Sequence, residues 1–143
     1  MSGTVIVGVD GSDTSFKAAT RAATIAAGLG ADLSVVTAHA KDNTEVVKIG
    51  SDTWILDDAE QAKKLAEKAA SQLRQVVPGA TISSVAVKGK PQDALVEEAT
   101  RSNAQLIVVG NVGMKGLGRV LGSVASSVAH AAPCDVYIVK TAG

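Results

Sequence analysis

Residues 110 to 122 read Gly110-Asn111-Val112-Gly113-Met114-Lys115-Gly116-Leu117-Gly118-Arg119-Val120-Leu121-Gly122, and Ser123 follows. Five of these thirteen residues are glycine. Glycine loses more backbone freedom on folding than any other residue. A density this high is useful where the backbone must approach another group closely or adopt positive φ. Successive N–H groups in such a segment form a concavity that binds anions. A helix opening at Ser123 would add its unpaired N–H groups and the positive end of its dipole, and Lys115 and Arg119 would add charge. The chemistry this suits is the holding of phosphate. A plain flexible loop is the alternative, and a capping role for Ser123 is compatible with either reading.

Two familiar phosphate patterns do not fit. Gly113 and Gly118 have the glycine spacing of a Walker A loop, but Arg119-Val120 stands where the Lys-Ser/Thr pair is required. The lysine for the terminal phosphates and the hydroxyl for Mg²⁺ are therefore missing. A dinucleotide fingerprint should follow the first strand, and Gly8-Val9-Asp10-Gly11 does not supply it. The second chemical element is Asp10 itself. In an open parallel sheet, ligands bind beyond the carboxyl ends of the strands where the winding direction reverses. If the first and fourth strands are neighbours, Asp10 and Gly110 face each other there. The Asp10 carboxylate would then hold a ribose hydroxyl or a phosphate-bound metal. Turn formation or helix capping is the competing role for it.

The elements that must position these groups follow from hydrophobic period. Thr4–Val9 is a near-continuous apolar run that reads as a buried strand. Ser12 or Asp13 can cap the helix after it, with Phe16, Ala19, Ala23 and Ala26 on one face and Gly28 and Gly30 as stop signals. Leu33–Ala38 reads as the second strand. Lys41 to Leu56 has no clear period, and loops of that length are usually functional or locally structured. From Asp57 to Val76 the residues Ala62, Leu65, Ala66, Ala69, Leu73 and Val76 form a helical stripe. Thr81–Val87 alternates as a third strand, Pro91 opens a helix running to about Arg101, and Gln105–Val109 is a fourth strand. Ser123 to Ala131 reads as a short last helix and Asp135–Lys140 as the fifth strand. Strands alternating with helices predict an α/β fold, a doubly wound, Rossmann-like parallel sheet with helices on both faces. No repeat or linker is visible, so residues 1–143 read as a single domain.

The chain resembles the universal stress protein family almost end to end. The likeness lies in Val5-Ile6-Val7-Gly8-Val9-Asp10-Gly11-Ser12, Ala38-His39-Ala40, Gly89-Lys90-Pro91 and Asn103-Ala104-Gln105-Leu106-Ile107-Val108-Val109-Gly110. It continues through Gly110-x-x-Gly113, Gly122-Ser123-Val124 and Ala132-Pro133-Cys134-Asp135-Val136. The resemblance implies a five-stranded parallel sheet of order 3-2-1-4-5. It also implies a site for ATP, with or without Mg²⁺, or for cyclic AMP, which some members bind instead. By resemblance, Gly110, Gly113, Gly122, Ser123 and Val124 would line the phosphate and ribose part. Asp10 would sit by the ribose or an associated metal, Val9 and the backbone around Ala40 would flank the adenine, and Val109 would pack nearby. One spacing departs from the family's ATP-binding pattern. Eight residues, Met114 to Leu121, separate Gly113 from Gly122, where that pattern has nine. A one-residue change moves backbone groups by about 3.8 Å.

The remaining chemistry is sparse. His39 reads as a structural or ligand-rim histidine, His130 as a surface residue, and Cys134 as a small buried residue. Lys88 and Lys90 read as a solvated edge, and Trp54 as a cover for apolar surface or a partner contact. No nucleophile, base and orienting group share a useful spacing, and no histidine or cysteine cluster suggests a metal site. Lys plus Arg and Asp plus Glu balance at 14 each. That leaves no basic footprint for a nucleic-acid partner or a membrane surface. Phe16, Trp54 and Tyr137 are the three aromatic residues, too few for a base-stacking platform. One cysteine forbids an internal disulfide, no apolar stretch is long enough to span a bilayer, and the N-terminal run lacks a secretory pattern, so a cytoplasmic location is expected.

Three functions follow. The first is a nucleotide-binding regulator of a stress response, whose interactions with other proteins change with the bound nucleotide. The second is a dimeric interaction protein that binds no nucleotide, as family members without the glycine motif are. The third is an ATPase or phosphotransferase, which the missing base and Walker lysine disfavour. The apolar fifth strand, Val136 to Val139, would be a sheet edge open to pairing. By resemblance it pairs across a two-fold axis to give a homodimer.

Overall fold

The computed structural model describes residues 3–39, 58–111 and 122–140. Its elements run β1 (Thr4–Gly8), α1 (Asp13–Leu29), β2 (Asp32–His39), α2 (Asp58–Val76), β3 (Thr81–Lys88), α3 (Pro91–Ser102), β4 (Leu106–Gly110), α4 (Ser123–Ala131) and β5 (Asp135–Val139). All pairings are parallel, and the five strands lie in the order β3-β2-β1-β4-β5. The chain thus winds outward from β1 through β2 to β3, then crosses back to β4 and β5. The reversal falls between β1 and β4.

Strand period divides the core into two halves. Val5 and Val7 of β1, Leu33 and Val35 of β2 and Val108 of β4 face α1 and α2. Ile6, Val36, Ile107 and Val109 face α3 and α4. Both faces of the central strands are buried, which is why these strands read as continuous rather than alternating apolar runs. The helix α1 presents Ala18, Ala19, Ala22, Ala23 and Ala26, all fully buried. An alanine face lets a helix backbone sit close to the sheet without aromatic filler. Arg21 Nη1 donates to the Tyr137 hydroxyl at 2.9 Å, which ties α1 to β5.

Local signals explain the ends. Ser12 Oγ accepts from the Ser15 N–H at 3.2 Å and caps α1. Gly30, at φ 68°, closes α1 by donating to Ala26 and Ala27, the left-handed stop that glycine permits. Gly28 lies inside the helix and stops nothing. Pro91 begins α3, and Asn103 at φ 54° ends it. Several expectations shift. The strand β1 ends at Gly8, although the Val9 N–H still bonds the Val36 carbonyl at 2.9 Å. The strand β4 starts at Leu106, not Gln105, and β5 ends at Val139, not Lys140. Val76, counted in the α2 stripe, is 54% exposed. It lies in the last turn, past Leu73, and Ala70 takes a buried place instead. Cys134 is half-buried rather than buried, and burial with the nearby Asp135 charge raises its thiol pKa. Lys41 to Leu56, Trp54 included, lies outside the described residues.

Candidate functional site

A cavity of about 460 Å³ opens beyond the carboxyl ends of β1, β2 and β4. Its sheet wall is Gly8, Val9 and Asp10 from β1 and the turn after it, Val36 to His39 from β2, and Val109 and Gly110 from β4. Four helices contribute residues near their N-terminal ends: Ser12 and Ser15 at α1, Gln61, Ala62 and Leu65 from α2, Pro91 and Leu95 from α3, and Val124 from α4. This is the crevice that a doubly wound sheet makes at its reversal point, and its volume is in the range of small-molecule sites. The walls are mainly apolar, with a few polar groups at the edge.

Gly8 keeps the floor open. A Cβ there would meet Leu95 Cδ2 at 3.2 Å and Cδ1 at 3.3 Å. Gly11 turns the chain at φ 90°, and a Cβ there would meet Leu65 Cδ1 at 3.2 Å. Between these glycines stands Asp10. Its Oδ1 accepts from the Ser12 N–H at 2.9 Å and from Ser12 Oγ at 2.6 Å. Its own N–H donates to Ser15 Oγ at 3.2 Å. Partial burial raises the Asp10 pKa, and the hydrogen bonds from Ser12 and Ser15 outweigh it, leaving the carboxyl below its ordinary value. The turn role weighed for Asp10 is therefore occupied, while the same residue lines the cavity.

On the other side of the reversal, Gly122 is the N-cap of α4, and no side-chain oxygen caps this end. The first turn of α4 carries no acidic residue. Asn111, 8% exposed, accepts the Gly122 N–H on Oδ1 at 2.9 Å, and its own N–H donates to the Val139 carbonyl at 3.0 Å. One residue thus joins the ends of β4, β5 and α4.

Of the residues expected to form a site, Val9, Asp10, Val109, Gly110 and Val124 share the cavity wall. Gly122 and exposed Ser123 start the helix beside them. Ala40 and Gly113, with Lys115 and Arg119, lie outside the described residues. His39 lines the cavity at the end of β2, as a rim residue would, and His130 is exposed. Sequence reasoning missed Gly8, Thr37, Leu65, Leu95 and Asn111. The first four come together only through the sheet register and helix packing. Asn111 lay in the quoted glycine segment, and an asparagine between two glycines was its only signal. Among the described residues no group of three or more His, Cys, Asp or Glu could hold a metal. No helix among them is long and apolar enough to cross a membrane.

The family model described as the universal stress protein family matches residues 1–140. The chain belongs to this family. It is 38% identical over 153 aligned positions to the universal stress protein Rv1636 of Mycobacterium tuberculosis, covering 96% of either chain. It is similar, with a TM-score of 0.75 and 37% identity, to a universal stress protein whose crystal structure is in complex with cAMP, covering 99% of this chain and 98% of that one. It also shares its fold with UspA from Lactobacillus plantarum, with a TM-score of 0.74, 24% identity and coverage of 96% and 97%. The strand order expected from the family is the order found.

Proposed function

We propose that this chain is a regulatory adenine-nucleotide-binding protein of the stress response, reading as one domain over residues 1–143. The observation that carries the proposal is the cavity at the sheet reversal. It has apolar walls for a base, the Asp10 carboxylate at its edge for a ribose, and an uncapped, non-acidic helix start at Gly122 for a phosphate. A bound anion is stabilised where free N–H groups and the helix dipole point together. ATP is the first candidate from the glycine motif. The 37% identity to a protein in complex with cAMP supports cyclic AMP as the second. The Asp10 carboxylate would be the group of the described wall to hold a Mg²⁺ that came with the phosphates.

The site has no grouping of nucleophile, base and orienting residue in its described wall, which favours a bound-state signal over turnover. Such a protein acts through its interactions with other proteins, in the cytoplasm. The edge strand β5, at one end of the sheet order, is the surface proposed for a homodimer. Light scattering at micromolar concentration is expected to give twice the chain mass.

The test of the ligand is to denature purified protein, analyse the released small molecules by mass spectrometry, and titrate the refolded or ligand-free protein with ATP and cyclic AMP in a calorimeter. Saturable binding of either is expected. Binding of cyclic AMP alone would move the reading to second-messenger sensing. A folded dimer that binds neither would leave the interaction-protein reading in its place.

A further inference from the structure

Helix α4 meets the cavity through Val124, yet the first turn that carries Val124 has no capping side chain to anchor it. What holds this end is Asn111. Its Oδ1 takes the Gly122 N–H at 2.9 Å, and its N–H is fixed on Val139 of β5 at 3.0 Å. The residue is buried at 8% exposure and directly follows Gly110, the cavity-wall residue that ends β4. The arrangement has a consequence for any phosphate. The Gly122 N–H is already used inside the protein, so the donors left to an anion at this end begin with the N–H groups of Ser123 and Val124.

We propose that Asn111 is a positioning residue for the ligand's phosphate: it pins the start of α4 to the carboxyl ends of β4 and β5, so that the N–H groups of Ser123 and Val124 face the cavity while Gly122 serves as the anchor. The proposal rests on the adenine-nucleotide reading and adds which residue sets the phosphate geometry. A hydrogen bond to a rigid strand end fixes a helix terminus far better than a glycine cap alone, because glycine restrains neither its own backbone nor the turn that follows. Removing the acceptor leaves a half-buried N–H unpaired, and the terminus moves to satisfy it. Groups that bind the base, on β1 and β2, do not depend on Asn111.

The test compares wild type, Asn111→Ala and Asn111→Asp. The readouts are calorimetric titration with ATP, cyclic AMP and adenosine, and amide hydrogen exchange at Gly122 by NMR. Asn111→Ala is expected to weaken the phosphate-bearing ligand by about ten-fold and adenosine by less than about two-fold, the scale of one lost positioning bond. Exchange at Gly122 is expected to accelerate in the alanine variant and to stay near wild type in Asn111→Asp, which keeps the acceptor oxygen. Equal losses for adenosine and nucleotide would overturn the proposal, as would unchanged Gly122 exchange in Asn111→Ala. Wild-type protein that binds none of the three ligands would overturn the nucleotide reading as well, and that failure is told apart because it appears before any substitution is made.

Discussion

The two strand-to-helix junctions that flank the reversal of the sheet, β1 to α1 and β4 to α4, sit side by side and are finished in opposite ways. At the first, the polar groups bond one another: Ser12 caps α1, Asp10 holds Ser12, and Ser15 holds Asp10 and the Ser12 carbonyl. Asp13 adds a carboxylate to the first turn of α1. At the second, the cap is a glycine, the first turn has no acid, and Asn111 reaches in to take the Gly122 N–H. The start of α3 lies between the two: its N-cap, Lys90, makes no side-chain cap, as at α4, but an acidic residue follows, as at α1. The helix α3 has Asp93 in its first turn, and its opening Pro91 has no N–H to offer. Of the starts of α1, α3 and α4, that of α4 is the one without an acidic residue in its first turn. A junction already satisfied by its own hydroxyls and carboxylates repels an anion. A junction left open attracts one.

The comparison breaks most visibly if the open junction is closed. Ser123→Asp places a carboxylate in the first turn of α4, at an exposed position. Against the helix dipole this stabilises the protein by about 0.5 kcal/mol. Against a phosphate at a few ångströms it is repulsive, and the expected loss of ATP or cyclic AMP affinity is about 100-fold. Thermal unfolding and calorimetric titration should therefore move in opposite directions. Unchanged affinity would mean that the phosphate is not at α4, and the contrast between the junctions would lose its functional meaning.

A smaller effect probes the closed junction. Gly11 holds φ 90°, and a Cβ there would press on Leu65 Cδ1 at 3.2 Å. Gly30 also has positive φ, at 68°, but a Cβ there meets nothing within 4 Å. Gly30→Ala should cost about 1 kcal/mol from backbone conformation alone. Gly11→Ala should cost about 1–2 kcal/mol, because Leu65 must also give way. Urea unfolding of the two variants measures the difference. Equal costs would show that the turn after β1 has slack, contrary to its dense bonding.

Much of this was legible in the residues. The continuous apolar runs of Val5 to Val7 and Ile107 to Val109 announce strands buried on both faces, and the alanine spacing of α1 announces its buried side. The glycine cluster before Ser123 is the feature on which the proposal of a phosphate at α4 is first based. The order of the strands was not legible from period, since alternation of strand and helix is the same for several windings; it came from the family likeness. The cavity wall was half legible. Asp10, two residues past the end of β1, and Gly110, at the end of β4, were named from their place beyond or at a strand end, and both line the cavity. Thr37, Leu65 and Leu95 come from elements far apart in sequence, and nothing local marks them as sharing one wall. Asn111 was passed over because its bonds to the start of α4 and to Val139 of β5 form only in the folded chain, and nothing local in the sequence announces them.

The smallest effect tests whether the closed junction is held by charge as well as by geometry. Hydrogen bonds from Ser12 and Ser15, set against the opposing effect of burial, hold the Asp10 carboxyl below its ordinary pKa of 3.8. A group whose pKa is lower in the folded chain than in the unfolded one stabilises the fold when ionised. That contribution is complete above the ordinary value and is lost as pH falls through the lowered one. Asp10 is exposed at the surface, so the contribution is modest and screened by salt. Ser12→Ala removes the α1 cap at a cost of about 1 kcal/mol at neutral pH. It also removes both the hydroxyl that donates to Asp10 and part of the reason for the lowered pKa. Carboxyl titration by NMR should then show the Asp10 pKa rising toward its ordinary value in Ser12→Ala. The stability gap between wild type and the variant should narrow as the pH is taken below that range, because protonated Asp10 no longer rewards the bond that Ser12 supplies. A gap that stays constant through the acid range would assign the whole effect to the cap and none to the carboxylate, leaving the contrast between the two junctions a matter of hydrogen-bond geometry and not of charge.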